Sequence, residues 1–183
     1  VIDSVIQDRI VIGGGDKGAS DKVFGIFKDI ENMAEEICSE TPEISKYANN
    51  NMVNNNHSGH SFEDKCLTTC LESAELIKVC SNTLLATKIT FANNVARVCD
   101  RVGANVTEVM DGVGMDRRIN RSFLYAGLGF GGGCFPKDVK GLISSTEELG
   151  VDASFFQKVY DVNMEQVDYV VDQIGRASCR ERV

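Results

Sequence analysis

The sequence of 183 residues is 43% hydrophobic and 25% charged, enough chain for one good domain or two small ones with a buried core. Its formal net charge is −8 and no basic block is long enough to track a nucleic-acid backbone, which argues against DNA or RNA as the main partner. It contains no run of about 18 apolar residues and no signal-peptide pattern, so no membrane partner is expected.

The opening "VIDSVIQDRIVIGGG" lacks an initiator Met and is already strand-like in density, so it reads as starting inside a larger protein. Within it, Asp8–Gly15 reads as a buried, β-branched strand closed by glycines. An amphipathic helix is predicted over Ser20–Ile37, with Ser20 or Asp21 as N-cap. "CLTT", Cys66–Thr69, is a short candidate strand. Strand, helix and strand in that order predict one βαβ unit of a parallel sheet. The asparagine-rich stretch between helix and second strand, about 38–64, reads as a surface insertion of low hydrophobicity, a composition typical of disorder. Its His57 and His60 have no acidic or thiol ligand at helpful spacing, so no metal site is expected.

The longest predicted element is a helix over Ser73–Val102. Ile77, Cys80, Leu84, Phe91, Val95, Val98 and Val102 keep a three-and-four spacing broken only by Thr87, and Gly103 stops it. At 1.5 Å per residue such a helix spans roughly 45 Å, too long for a small domain to cover alone. It therefore calls for a second copy or a neighbouring domain. A short helix over Val106–Gly112 leads to "MDRRINR", where Arg117, Arg118 and Arg121 gather in either a solvated loop or an anion-binding cluster. Helices follow at Pro136–Leu149, ended by Gly150, and at Ala153–Ile174, started by Asp152. The final "GRASCRERV" carries three arginines in nine residues and no apolar period. It reads as a non-native tail over 175–183.

Seven cysteines, at 38, 66, 70, 80, 99, 134 and 179, form no CxxC pair, so neither a zinc site nor a disulfide framework is signalled. Cys80 and Cys99 sit in apolar helical company and are expected as core thiols. The pattern suits a reducing, cytoplasmic setting.

Chemistry concentrates in "GLGFGGGCFPKD", Gly127–Asp138. Glycine permits positive φ and close approach of a ligand to the backbone, so five glycines just ahead of one thiol make a poor packing segment and a good binding one. A flexible linker is the alternative, but Phe130 within the run and a helix signal at "FPKD" oppose it. Cys134 then precedes a helix N-terminus, where the dipole favours thiolate over thiol. Asp138 lies one turn along and can reach the thiol's side. That pattern suggests a nucleophilic cysteine with an acid–base partner. In the long helix, Lys78 and Asn82 share a face at i and i+4, either as a solvated face or as a charge and an amide able to hold an oxyanion.

Taken together, "SAELIKVCSNTLLATKITFANNVARVCDRVGANVTEV", "GMDRRI" and "FLYAGLGFGGGCFPKDVKGL" closely resemble the UDP-glucose/GDP-mannose dehydrogenase family, strongly over Ser73–Gln166. The "CFPKD" form lies nearest its UDP-glucose-oxidising members. The resemblance implies an α/β fold: the last βαβ part of a Rossmann-like cofactor domain, residues 1–72, then a mainly helical central dimerisation domain, residues 73–174, with one long helix. It implies NAD-dependent, four-electron oxidation of a UDP-sugar's primary alcohol to a carboxylate. By that match Cys134 is the nucleophile, passing through a thiohemiacetal and a thioester; Lys78 stabilises the oxyanion with Asn82 assisting; Asp138 orients or activates the hydrolytic water. Tyr125, Ala126, Gly127, Leu128, Gly129, Phe130 and Gly131 would wrap the nucleotide sugar, Phe123 would line the pocket and Arg118 would reach a substrate. Cys134, Phe135, Pro136 and Lys137 would border the NAD nicotinamide, and the long helix would form a homodimer or higher homo-oligomer.

The sequence departs from the family pattern in places. Gly133 stands where many relatives have serine, and the asparagine-rich insertion is unusual. No GxGxxG follows a first strand, and "IGGG" at Ile12–Gly15 is no substitute. The chain also lacks the family's C-terminal domain. These 183 residues alone are therefore expected not to turn over substrate. A GDP-mannose or UDP-N-acetylhexosamine dehydrogenase is the nearest alternative. A non-catalytic dimerisation module is another, opposed by the presence of Cys134, Lys78, Asn82 and Asp138 together.

Overall fold

The computed structural model describes residues 9–41 and 61–180. The chain divides into two compact units, Val1–Ile77 and Lys78–Val183.

In the first unit β1 (Ile10–Gly13) is followed by α1 (Lys17–Glu40), then a single helical turn α2 (Phe62–Lys65) and β2 (Cys66–Thr69). The strands pair in parallel with Ile10 opposite Cys66 and Gly13 opposite Thr69. A parallel pair requires a crossover, and α1 lies on it. Ile10, Ile12 and Phe62 form the buried core of this unit, with Phe24, Phe27 and Cys66 packed against them. Phe24 meets Phe62 edge-on at 5.0 Å between ring centroids. Lys65 Nζ donates to buried Glu31 Oε1 at 2.6 Å, tying α2 to α1.

Helix α1 starts a turn earlier than predicted. Asp16 is the N-cap, its Oδ2 accepting from Ala19 N at 2.8 Å. Ser20, one of the two residues expected as cap, lies inside the first turn, where its hydroxyl donates to Asp16 O at 3.1 Å. The predicted insertion also shrinks at both ends. Residues 38–40 are helical, and Ser61–Lys65 form a capped turn in which Ser61 and Asp64 bond each other's backbone N–H groups. The remainder, with His57 and His60, lies outside the described residues.

The second unit is helical. Helix α3 (Leu71–Val102) begins in the first unit and runs through the second; α4 (Val106–Gly114), α5 (Phe135–Glu148) and α6 (Ser154–Arg180) follow. One core cluster joins Ala86 of α3, Phe130, Val139 and Ile143 of α5, Ala153 and Val159 of α6. A second joins Ala92, Met110 and Leu124. The side chains α3 buries are short or polar: Thr83, Ala86, Thr90, Ala92, Asn93 and Cys99. The apolar stripe read from the sequence is split: Val95 packs against the second cluster, while the part through Leu84, Phe91, Val98 and Val102 is exposed at 62%, 50%, 59% and 71%. Cys80 goes with it. Cys99 is buried, but Cys80 is exposed and is not the core thiol expected.

Asp152 starts α6 by accepting from Ser154 N at 2.8 Å. The helix does not stop at Ile174 but runs to Arg180, so the tail keeps helical backbone despite its lack of apolar period. Arg176, Ala177 and Arg180 are good helix formers, and Arg176 pairs with Asp172 one turn back at 2.7 Å. Among the described residues no helix is long and apolar enough to cross a membrane.

Candidate active site

Cys134 is the N-cap residue of α5, with φ −97° and ψ −57°, and its side chain makes no capping bond. Its carbonyl accepts from Asp138 N at 2.9 Å, closing the first turn. Pro136 in that turn needs no partner for an N–H it lacks. The thiol is left exposed at the end of the glycine loop.

One turn on, Asp138 is 5% exposed, and three side chains converge on it. Lys78 Nζ donates to Asp138 Oδ2 in a short charge-assisted bond. Asn82 Nδ2 donates to the same oxygen at 2.5 Å. Lys137 Nζ lies 3.2 Å from Oδ1. The i, i+4 pair on α3 thus closes on a carboxylate from α5 that is 60 positions away from Lys78 in the chain. Lys78, Asn82 and then Lys137, against the opposing effect of burial, lower the Asp138 pKa from 3.8 to about 2. A depressed carboxylate stabilises the fold above its unfolded pKa and loses that contribution as pH falls through its folded one. We expect the Asp138 contribution to be complete at about pH 5 and lost towards about pH 2, worth about 1–2 kcal/mol after screening at the half-exposed lysine. Urea unfolding across that range checks it. The midpoint of Asp138→Asn should fall less steeply with acid than that of the unsubstituted chain; equal slopes would contradict the assignment.

The loop before Cys134 is held in an unusual path. Asn120 and Phe123 have φ of 60° and 65°, while Gly129 and Gly132 have +97° and +77°. At Gly129 a Cβ would lie 2.5 Å from Asn163 Oδ1, so glycine is required there twice over. Phe123 meets Phe135 edge-on at 6.3 Å, and Phe135 meets Phe130 at the same spacing. This places Phe123 against the start of α5. Gly127 N donates to Asn93 Oδ1 at 2.7 Å and Gly127 O accepts from Gln166 Nε2 at 2.9 Å. Ala126, Leu128 and Gly131 are exposed.

The arginines do not form one anion cluster. Arg118 is 88% exposed and turned onto Asp116, its Nη2 donating at 2.6 Å. Arg121 donates to Asp111 at 2.5 Å and to Leu124 O, and stacks over Tyr125 at 4.2 Å. Lys88 donates to Ile119 O at 3.0 Å and Asn120 O at 3.2 Å, fixing this loop to α3; burial lowers its pKa. Sequence reasoning gave no part to Asn93, Asn163, Gln166 or Lys88. Their only signal is a polar residue inside an apolar helical segment, such as the asparagines of "FANNV".

The profile of the UDP-glucose/GDP-mannose dehydrogenase family, central domain, matches residues 72–165. The chain belongs to this family. A UDP-glucose 6-dehydrogenase of Bacillus subtilis (strain 168), TuaD, is 47% identical over 113 residues, 62% of this chain and 24% of that relative. A UDP-glucose 6-dehydrogenase of Rickettsia bellii (strain RML369-C) is 34% identical over 175 residues, covering 96% of this chain and 34% of the relative. The structure of a UDP-glucose dehydrogenase from the hyperthermophilic archaeon Pyrobaculum islandicum matches with TM-score 0.66 and 31% identity, over 91% of this chain and 30% of that one. The chain thus spans between 24% and 34% of these relatives' length.

Within the dehydrogenase family this chain supplies the end of the Rossmann-like part and the helical central domain that follows, the architecture the solved relative shares. The matched span contains Lys78, Asn82, the glycine loop, Cys134 and Asp138, and also Asn93 and Asn163. Cofactor fit is uneven. Cys134 and Lys137, two of the residues the resemblance sets beside a nicotinamide, are exposed. The glycines ending β1 offer no dinucleotide cradle: a Cβ at Gly14 would meet Ser20 Oγ at 2.0 Å, and one at Gly13 would meet Ala74 Cβ at 2.6 Å. Those positions are filled from within the chain. Among the described residues no His, Cys, Asp and Glu group could hold a metal ion.

Proposed function

We propose that this chain carries the catalytic centre of a NAD-dependent UDP-glucose dehydrogenase, oxidising the sugar's primary alcohol to a carboxylate. The observation that supports it best is the Lys78–Asn82–Asp138 cluster set one turn from an exposed thiol. Bound NAD would accept one hydride in each of the two oxidations. The chain's own residues do the rest. Once the alcohol is an aldehyde, Cys134 Sγ adds to its carbonyl carbon and forms a thiohemiacetal. Lys78 and Asn82 offer a charge and an N–H to the oxygen that gains charge in that step. Loss of the second hydride leaves a thioester on Cys134, and water cleaves its C–S bond to release the carboxylate and the thiol.

Asp138 suits only part of the role expected for it. With a pKa of about 2 it is a weak general base. It is better fitted to orienting water by hydrogen bonding and to holding Lys78 and Asn82 in place. The glycine loop, with Tyr125 to Gly131 and Phe123, is the proposed nucleotide-sugar surface; Phe135, Pro136 and Lys137 border the nicotinamide. Arg118 is held by Asp116 at present and would have to exchange that partner to reach a substrate. The exposed stripe of Leu84, Phe91, Val98 and Val102 on α3 supports a homodimer built on this helix. Cysteines 66, 70, 80, 99 and 134 are free, in keeping with a reducing, cytoplasmic setting.

The test is stoichiometry. In the full-length protein, UDP-glucose should yield two NADH per sugar consumed, with GDP-mannose and UDP-N-acetylhexosamines much slower. One NADH per sugar, or preference for another nucleotide sugar, would sink the reading. The 183 residues alone should give no NADH, since no GxGxxG fingerprint follows a first strand in this sequence.

A further inference from the structure

Three buried carboxamides grip the glycine loop at two points. Asn163 Oδ1 accepts from Phe130 N at 2.7 Å while its Nδ2 donates to Phe130 O at 2.9 Å. One side chain thereby satisfies both backbone groups of one residue, as a neighbouring strand would. Gly127 is gripped likewise by two residues, its N–H by Asn93 Oδ1 and its carbonyl by Gln166 Nε2. Gln166 is itself aimed by Arg97, whose Nε and Nη2 donate to Gln166 Oε1 at 3.1 and 2.9 Å. Between the two grips the peptide groups of Leu128 and Gly129 have no hydrogen-bond partner among the described residues.

We propose that Asn93, Asn163 and Gln166 are positioning residues for the nucleotide sugar, fixing the backbone on either side so that the Leu128 and Gly129 peptide groups stay free to pair with the ligand. The inference rests on the reading of this loop as the nucleotide-sugar surface. Two observations separate it from ordinary loop anchoring. Asn93 Nδ2 is buried with no partner among the described residues; an orphaned donor is costly, so the side chain is kept there for its acceptor, which holds Gly127. The close approach of Gly129 to Asn163 Oδ1 at a positive φ means the loop backbone lies directly on the grip, with no side chain interposed. A loop held in its bound path before the ligand arrives loses less freedom on binding.

The test uses two near-isosteric variants in the full-length protein. Gln166→Glu keeps the acceptor for Arg97 but loses the donor to Gly127 O. Asn163→Asp keeps the acceptor for Phe130 N and loses the donor to Phe130 O. Each should raise the KM for UDP-glucose about tenfold with a smaller fall in kcat, the signature of lost ground-state positioning. Amide exchange at Phe130 should be slow in the unsubstituted protein and at least about fivefold faster in Asn163→Ala, as for loss of one typical hydrogen bond to that N–H. Should Asn163→Ala fail to fold, the two acidic variants carry the test. Faster exchange with an unchanged KM would overturn the inference while leaving the site reading intact. An unsubstituted protein that neither binds nor oxidises a nucleotide sugar would remove the site reading, and the inference with it.

Discussion

Replacing Cys134 by serine is expected to cut sugar oxidation by at least about a thousandfold while leaving fold and oligomeric state in place. A neutral hydroxyl is a far weaker nucleophile than a thiol, and Asp138 one turn on, with its pKa lowered to about 2, is a poor base to activate it. The thiol makes no capping bond and is exposed, so its loss removes no packing. Serine is in fact a favoured N-cap residue, and the thermal midpoint should hold or rise slightly. The measurement is NADH formation with saturating UDP-glucose, alongside melting and sedimentation of the same sample. Turnover within about tenfold of the unsubstituted protein would rule out covalent catalysis at Cys134.

The second large effect is expected at Lys78. Lys78→Ala removes the principal partner of a buried carboxylate, leaving Asp138 with Asn82 and the exposed Lys137. Breaking a buried pair from one side is costly. Because Lys78 is itself 57% exposed, we expect about 1–3 kcal/mol rather than the full figure for a buried pair. Adding Asp138→Asn should return part of that loss, since the uncompensated charge is then gone. In the full-length protein Lys78→Ala should also lower kcat by about a hundred- to a thousandfold, as for loss of a preorganised oxyanion donor. Denaturant titrations of both single variants and the double variant, with rates on the same samples, check both parts. Strict additivity would mean that Lys78 and Asp138 do not act on each other.

Some of this was legible in the sequence because the signals were local. "CLTT" reads as a strand in isolation and is one. The spacing of α3 runs from Ile77 to Val102 with one break, and Gly-Cys-Phe-Pro marks a helix start whatever surrounds it. Local signals misled where long-range packing decides. Cys80 and Leu84 sit among apolar neighbours along the chain, yet the side of α3 that packs is the one carrying Thr83, Ala86, Thr90 and Asn93. Periodicity identifies an apolar face; it cannot say whether the chain's own unit covers it. Asn93, Asn163 and Gln166 were illegible for a related reason. A carboxamide on a helix reads the same in solvent as when buried against a backbone that arrives from 33 to 39 positions away. Likewise Asp16 was hidden as a cap by the glycines before it, which read as the close of the first strand.

The central claim is that Cys134 carries the sugar as an acyl group, and the most direct test is the mass of its peptide during turnover. Asp138→Asn in the full-length protein should slow hydrolysis, so a sample quenched with acid after mixing with UDP-glucose and NAD should hold the thioester. The account predicts a Cys134 peptide heavier by one UDP-glucuronyl group, released by hydroxylamine and absent from Cys134→Ser. An unmodified Cys134 peptide, recovered while NADH is still being formed and the sugar is oxidised to the acid, would contradict it.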